Sequence, residues 1–206
     1  MKLVVFDVET DKLLSKARNN WDELRVTVCV AIECVSLTSQ VNNRDSVQEF
    51  VLFDDAINAA DTDSFGKLMD DADVVVAYNG REFDLRVLRN HYASERVYKW
   101  AAKLLDPFEV IRDATGSWVK LDELLDANGL PRKPASGVDA VNWWKDGEQD
   151  KVIEYCKHDV LGLQRIVAMD RIRFPVKRLT TEGLHVVDRM CVIKWHNYCR
   201  RTRPCL

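Results

Sequence analysis

Asp7 and Glu9 stand two residues apart in Phe6 Asp7 Val8 Glu9 Thr10. On a strand both carboxylates leave one face, the face that also carries Leu3 and Val5. Acids at the end of an apolar strand face cost several kcal/mol unless cations or donors stand opposite. A strand end opening to water would carry the same pair without cost, so other segments must supply the partners. Tyr78 Asn79 Gly80 Arg81 Glu82 Phe83 Asp84 reads as a buried strand running into a turn, with Asp84 in a first helical turn. Strand ends are where α/β sheets build sites, although such an Asp also serves as an ordinary partner of the helix dipole. The third segment is Glu154 Tyr155 Cys156 Lys157 His158 Asp159 Val160. At about 100 degrees per residue, Val152, Cys156, Val160, Leu163, Ile166 and Val167 form one helical stripe, with Asp159 roughly 50 degrees from its centre. Tyr155, four residues earlier, shares the Asp159 face. Taken singly, this pair also reads as a core Asp bonded to an amide beside a core Tyr.

Asp7, Glu9, Asp84 and Asp159 together are too many acids to neutralise one another by hydrogen bonding, because adjacent like charges raise each other's pKa. Divalent cations solve the problem. A set made only of oxygen ligands favours hard ions, Mg²⁺ or Mn²⁺. Two such ions about 4 Å apart would clamp a scissile phosphate, one activating water and the other stabilising the leaving oxygen.

The elements that must position these groups follow from the pattern. Lys2 to Glu9 is expected as a central strand, apolar on both faces. Leu24 to Leu37 alternates as a second strand, and Gln48 to Phe53 as a third, with polar linkers that suggest an antiparallel meander. A short helical pattern holds Phe65, Leu68 and Met69, and Asp73 to Tyr78 is a buried strand closed by Asn79 Gly80. Helices are expected over Glu82 to Glu95, Trp100 to Leu105, Leu121 to Asn128 and Glu148 to about Asp170. The sum is an α/β layer architecture with a mixed central sheet.

The three acidic segments resemble, in order, the three motifs of the DEDD 3′-to-5′ exonuclease superfamily: Phe6 to Thr10, Tyr78 Asn79 through Phe83 Asp84, and Tyr155 Cys156 with Asp159 Val160 Leu161. Tyr-x-x-x-Asp marks the DEDDy branch, and the wording is most similar to the proofreading exonuclease domain of family B DNA polymerases. The likeness spans roughly residues 1 to 168. It implies a ribonuclease H-like fold, a mixed sheet flanked by helices, and two-metal hydrolysis releasing nucleoside 5′-monophosphates from a 3′ end of single-stranded DNA. By motif position, Asp7, Glu9, Asp84 and Asp159 would bind the metals and Tyr155 would orient the attacking water. Thr10 would offer its amide to the terminal nucleotide, and Asn79 and Phe83 would line the strand path. Stacking on Phe83 suits any base. His158 adjoins Asp159 and so does not match the histidine-type branch. RNA trimming of the ribonuclease D type shares the Tyr-containing motif and is the alternative activity; a silent nucleic-acid-binding replication module is the alternative without catalysis. Intact acids argue against the silent module.

Apolar residues are 47% and charged residues 31% of the 206, which excludes disordered and collagen-like chains and fits one large domain. The first apolar run ends at Asp7, too short for a signal peptide, and no stretch approaches the roughly 18 residues of a membrane span. A cytoplasmic setting is expected, with a bacterial, phage or viral source in keeping with a small nuclease. The span leaves no room for a polymerase domain, so a stand-alone nuclease is expected, with a polymerase or other replication partner left open. The six cysteines lack C-x-x-C pairing and read as reduced thiols.

Net charge is −3, yet residues 1 to 170 hold 21 Lys/Arg against 31 Asp/Glu, a net −10, while 171 to 206 hold 9 against 2, a net +7. A boundary is expected near Phe174 Pro175, dividing an exonuclease domain, 1 to 173, from a basic extension, 174 to 206. Arg171 to Arg178 and Arg200 to Arg203 could track phosphates, or be a solvated tail. Cys191, His196, Cys199 and Cys205, with His185, do not match a zinc spacing; an amphipathic segment packing Val186, Val187, Met190, Val192, Ile193 and Trp195 on the domain is the expectation. Trp143 and Trp144 read as anchors near a helix start rather than base platforms. Arg132 and Lys133, in the Pro131 to Gly137 loop, are placed either to meet phosphate or in solvent.

Overall fold

Apolar side chains on both faces of the first strand demand helical cover above and below it, and that is the arrangement found. The computed structural model describes residues 1–34, 46–51, 59–169, 171–180, 183–192 and 195. In chain order the elements are β1 (Leu3–Thr10), a 3-10 turn (Trp21–Glu23), β2 (Val26–Cys34), β3 (Ser46–Val51), α1 (Ala59–Asp71), β4 (Val74–Val76), α2 (Asp84–Leu88), α3 (Ser94–Ala102), β5 (Leu104–Leu105), α4 (Pro107–Thr115), α5 (Leu121–Ala127), α6 (Gly137–Lys145), α7 (Gln149–Val167), β6 (Arg171–Thr180) and β7 (Gly183–Val192). Five strands form one mixed sheet in the order β3-β2-β1-β4-β5. β1, β2 and β3 pair antiparallel as the expected meander, whereas β4 joins β1, and β5 joins β4, in parallel.

The pleat sends alternate residues of β1 to two cores. Leu3 and Val5 meet Val152, Cys156, Val160 and Leu163 of α7 and Leu124 and Leu125 of α5. Val4, Phe6 and Val8 meet Phe65 of α1, Leu85 and Leu88 of α2, and Trp100 of α3. The α7 stripe is fully buried, and each large apolar side chain in it contributes about 1.5–3 kcal/mol on transfer from water. Asp7 and Glu9 therefore face the α7 layer, the layer that carries Asp159.

The chain between Glu82 and Asp106 differs from the expected continuous pattern. The helix begun at Asp84 stops at Leu88 because the next turn is fastened to another segment: Asn90 Nδ2 donates to the carbonyls of Trp21 and Leu24, both at 2.8 Å. The Val26 amide donates to His91 Nε2 at 3.0 Å. A second helix starts at Ser94, and Leu104–Leu105, expected as helical, instead pair with Val75 and Val76. α4 and α6 were also not foreseen, and Trp143 and Trp144 lie at the end of α6 rather than at a helix start.

After α7 the chain forms an antiparallel pair, β6 and β7, in register from Arg171↔Val192 to Thr180↔Gly183. Ile172 and Phe174 are buried while Arg171 and Arg173 are exposed, the period-2 signature of a half-buried strand. Asn128, after α5, fastens this strand by donating to the Arg173 carbonyl at 2.7 Å and accepting its amide at 2.8 Å. Trp195 is buried, and its indole donates to the Met169 carbonyl at 3.1 Å. His196, Cys199, Cys205, Ile193 and Arg200 to Arg203 lie outside the described residues, as do the side chains of His185, Val186, Val187, Met190, Cys191 and Val192. No helix among the described residues is long and apolar enough to cross a membrane.

Gly80 sits in the turn between β4 and α2, where an added Cβ would overlap that of Ala77. Gly80→Ala is expected to destabilise the fold by about 1–3 kcal/mol, because both atoms are fixed to backbone. Urea denaturation measures it, and an unchanged midpoint would show that the turn yields freely.

Candidate active site

β1 outruns its parallel neighbour. β4 pairs with it only from Leu3↔Val74 to Val5↔Val76, while β2 follows it through to Thr10. Beyond Val5 the abandoned edge of β1 needs other hydrogen-bond partners. Asp84 supplies one: its Oδ1 accepts the Val8 amide at 3.2 Å, and the side chain is buried. The turn that delivers Asp84 contains Asn79 at φ 60, a left-handed conformation that Asn tolerates better than most residues. Asp106 holds that turn from below, accepting the amides of Asn79 at 2.9 Å and Arg81 at 3.4 Å. The same carboxylate caps α4 through the Phe108 amide at 3.1 Å.

From the opposite side α7 brings Tyr155, Cys156 and Asp159. The Cys156 thiol donates to the Asp7 carbonyl at 3.3 Å, which fixes helix against strand. Asp7, Glu9 and Cys156 offer ligand atoms within 4.8 Å of one another. A cavity of about 250 Å³ is lined by Asp7, Glu9, Thr10, Asn79, Phe83, Asp84 and Asp159, so the four acids and the three residues expected to meet the substrate share one space. Tyr155 and Asp159 line a second cavity of about 620 Å³, which also reaches Asp7, Asn79 and Lys133. Phe83 is half-buried and edge-on to Trp21, with ring centroids 5.8 Å apart.

Lys133 is the site residue whose position the sequence left open. Its loop is held by the backbone amide of Lys133 donating to Asp122 at 2.9 Å, and the ammonium turns inward to pair with Asp159. It also donates to the Tyr155 hydroxyl at 3.4 Å. Arg132 instead pairs with Asp126 on the surface. Two prolines and no periodicity surround Lys133, so only the excess of acids elsewhere hinted at an internal cation. Asp106 was missed too, although Asp followed by Pro is a legible helix start. Trp143 packs edge-on to Tyr155 at 6.3 Å, in keeping with an anchoring role.

The electrostatics record the crowding. Burial, and then the Asp159 charge, push Asp7 up to about 7. Burial followed by Asp7 and Asp159 raises Glu9, and burial followed by Asp7 raises Asp84. Asp159 is raised by burial against the pull of Lys133. Burial opposes the Lys133 charge, yet Asp159 and Asp7 carry its pKa above the ordinary lysine range. Burial raises the Tyr155 hydroxyl as well, so it stays protonated at neutral pH. Asp159 Oδ1 is buried without a hydrogen-bond partner, 3.7 Å from His158 Nδ1. Four convergent carboxylates, one with an unsatisfied oxygen, fit hard divalent cations, and Asp7, Glu9, Asp84 and Asp159 are the residues that would hold them.

The chain matches the model of a family described as RNase_H superfamily over residues 4–169. No curated protein sequence matches it. Among solved structures it is similar to the family B DNA polymerase of the hyperthermophilic archaeon Pyrobaculum calidifontis, with TM-score 0.57 and 15% identity over 81% of this chain and 24% of that one. It is also similar to E. coli exonuclease I in complex with a dT13 oligonucleotide, with TM-score 0.52 and 15% identity over 82% of this chain and 40% of that one. The chain thus spans well under half of either neighbour, and at this identity the likeness is one of fold.

Raised carboxyl pKa values mean that the folded protein without metal retains protons the unfolded chain has released. Its stability is therefore greatest near pH 4 to 5 and falls as pH rises through about 7. Melting in EDTA is expected to drop by roughly 5 °C between pH 5 and pH 8. A melting temperature that rises over this window would show that the four acids do not share a desolvated space.

Proposed function

The chain belongs to the RNase H superfamily, and from that premise we propose that it is a metal-dependent 3′-to-5′ exonuclease that hydrolyses single-stranded DNA to nucleoside 5′-monophosphates. The observation that carries this reading is the convergence of Asp7, Glu9, Asp84 and Asp159 on one cavity, with Tyr155 lining the adjoining one that Asp7 and Asp159 share. A fold neighbour that is an exonuclease in complex with a dT13 oligonucleotide supports a single-stranded substrate. The net −10 over residues 1 to 170 repels a polyanion, so binding depends on cations and on basic residues.

Mg²⁺ or Mn²⁺ ions, two by the family resemblance, supply Lewis-acid polarisation of the phosphate and of water when bound. Every other contribution comes from the chain. Water adds to phosphorus between the last two nucleotides, the P–O3′ bond breaks, and the shortened strand takes up a proton as its new 3′-hydroxyl. Tyr155 orients that water: its oxygen accepts from Lys133, which leaves its own hydrogen free to point into the site. Thr10, Asn79 and Phe83 position the terminal nucleotide, with the Phe83 ring as a base-tolerant contact. Lys133 neutralises Asp159 before cations arrive and turns to a substrate phosphate oxygen afterwards. No covalent enzyme intermediate is required.

A time course on 3′-labelled and 5′-labelled strands in Mg²⁺, Mn²⁺ or EDTA tests the reading. Immediate release of 3′-labelled mononucleotide, with a descending ladder from the 5′ label and silence in EDTA, is expected. Internal cleavage would overturn the exonuclease reading, immediate release of 5′-labelled mononucleotide the polarity, and faster loss of an RNA strand than of DNA the substrate class. Asp7→Asn is expected to lower turnover about a thousandfold, corresponding to several kcal/mol of lost transition-state stabilisation, while the metal-free protein melts no lower than wild type. Unfolding of that variant would mark Asp7 as a structural acid.

Lys133 competes with divalent ions for Asp159. Lys133→Met is expected to tighten Mn²⁺ binding about tenfold in titration calorimetry without nucleic acid, through removal of a like charge from a partly desolvated site. Weaker Mn²⁺ binding by the variant would show that Lys133 organises the carboxylates rather than substituting for a cation.

A further inference from the structure

Trp118 is 71% exposed, an unusual state for the largest apolar side chain, yet it stands on a packed base. Its ring lies edge-on to Phe108, with centroids 5.4 Å apart and planes at 73°. Phe108 in turn lies edge-on to Tyr78 at 5.8 Å, and the Tyr78 hydroxyl donates to the Val119 carbonyl at 2.6 Å. Val119 is buried in the core, so the loop is anchored at the residue that follows the exposed ring. Lys120 follows two residues later and is also exposed. Phe108, Trp118 and Lys120 line the larger cavity, about 620 Å³, within the range of small-ligand sites.

That cavity is continuous with the catalytic acids. It shares Asp7, Asn79, Lys133 and Asp159 with the smaller cavity, so two of the four carboxylates, Asp7 and Asp159, lie where the two meet. A phosphodiester at the carboxylates must send one flanking nucleotide each way. The smaller cavity, about 250 Å³ and walled by Leu13, Leu14 and Phe83, takes one of them.

We infer that Trp118 is a base-stacking platform for the nucleotide on the other side of the scissile phosphate, with Lys120 beside it as a contact for the strand's backbone. This rests on the nuclease reading above. An open indole face binds any base, because every base has a π-face, and a neighbouring lysine answers the phosphate charge without reading sequence. Packing does not account for the ring, which leaves most of its surface in water. The contrast with Trp143 is direct, since that ring is partly buried against the core and Tyr155.

The test is equilibrium binding of single-stranded dT oligonucleotides in Ca²⁺, followed by anisotropy, for wild type, Trp118→Ala and Trp118→Phe. Trp118→Ala is expected to weaken binding about tenfold or more with no change in melting temperature, and Trp118→Phe to keep most of the affinity. Strands with one abasic residue at each of the last four 3′ positions locate the contact: at one position wild type loses the same factor, and Trp118→Ala loses nothing further. Equal affinity of wild type and Trp118→Ala would overturn the platform while leaving the nuclease reading intact. Absence of oligonucleotide binding by wild type would overturn both. A uniform abasic penalty at all four positions in both proteins would also overturn the platform, since Trp118 would then contact no particular base.

Discussion

Everything in this molecule is arranged around four carboxylates kept close together against their own repulsion. Asp7 and Glu9 project from a strand whose parallel neighbour has already stopped, Asp84 fills the gap left on that strand's edge, and Asp159 arrives from the helix packed on the face they point to. Each is worth less to stability than a neutral residue would be, because burial and like charge both raise its pKa. Apolar layers on the two faces of β1 offset that cost, and their registry with β1 is what prevents the acids from drifting apart. The stopping of β4 after three residues therefore makes room for the cluster: a longer β4 would occupy the edge that Asp84 needs.

Lys133 shows how such a cluster tolerates the absence of divalent ions. One ammonium paired with Asp159 and close to Tyr155 relieves part of the negative charge, but it cannot satisfy four acids, and Asp159 still has an oxygen with no hydrogen-bond partner. Its loop is tethered through the backbone amide to Asp122, so the ammonium can exchange partners without dragging the chain. A side chain with four rotatable carbons suits that exchange better than a rigid guanidinium would.

The sheet meander and the α7 stripe were legible in the sequence because both have strict periods with long apolar runs, and the acids were legible because their spacing is constrained by those periods. Where regularity is short, tertiary contacts decide. Leu104 and Leu105 have too few residues to declare a strand, and they become one only because β4 has a free edge beside them. The helix after Asp84 ends at Leu88 because Asn90 is bound by carbonyls 66 and 69 residues earlier in the chain, a partnership no local pattern encodes. Ile172 and Phe174 alternate with Arg171 and Arg173, yet the excess of arginine masked the strand behind an impression of a solvated tail. Lys133 was hidden for a similar reason: a lysine between prolines looks like surface, and its inward turn follows from acids contributed by three other elements.

Asp106 couples the two halves of the site. One buried carboxylate accepts the amides of Asn79 and Arg81, which set the wall that ends in Asp84, and the amide of Phe108, which opens the helix supporting the Trp118 wall. Burial pushes it up to about 6 although three amides point at it, so its ionised form is held at a cost that a surface helix cap would not bear. A cap alone could be Ser or Asn; here Oδ1 accepts the Asn79 amide from the turn and the Phe108 amide from the helix, while Oδ2 takes the Arg81 amide, so one carboxylate satisfies three donors from two elements. The spacing of the two cavities about the four acids is thus set by the reach of a single side chain, and a change there would move both walls together rather than either one.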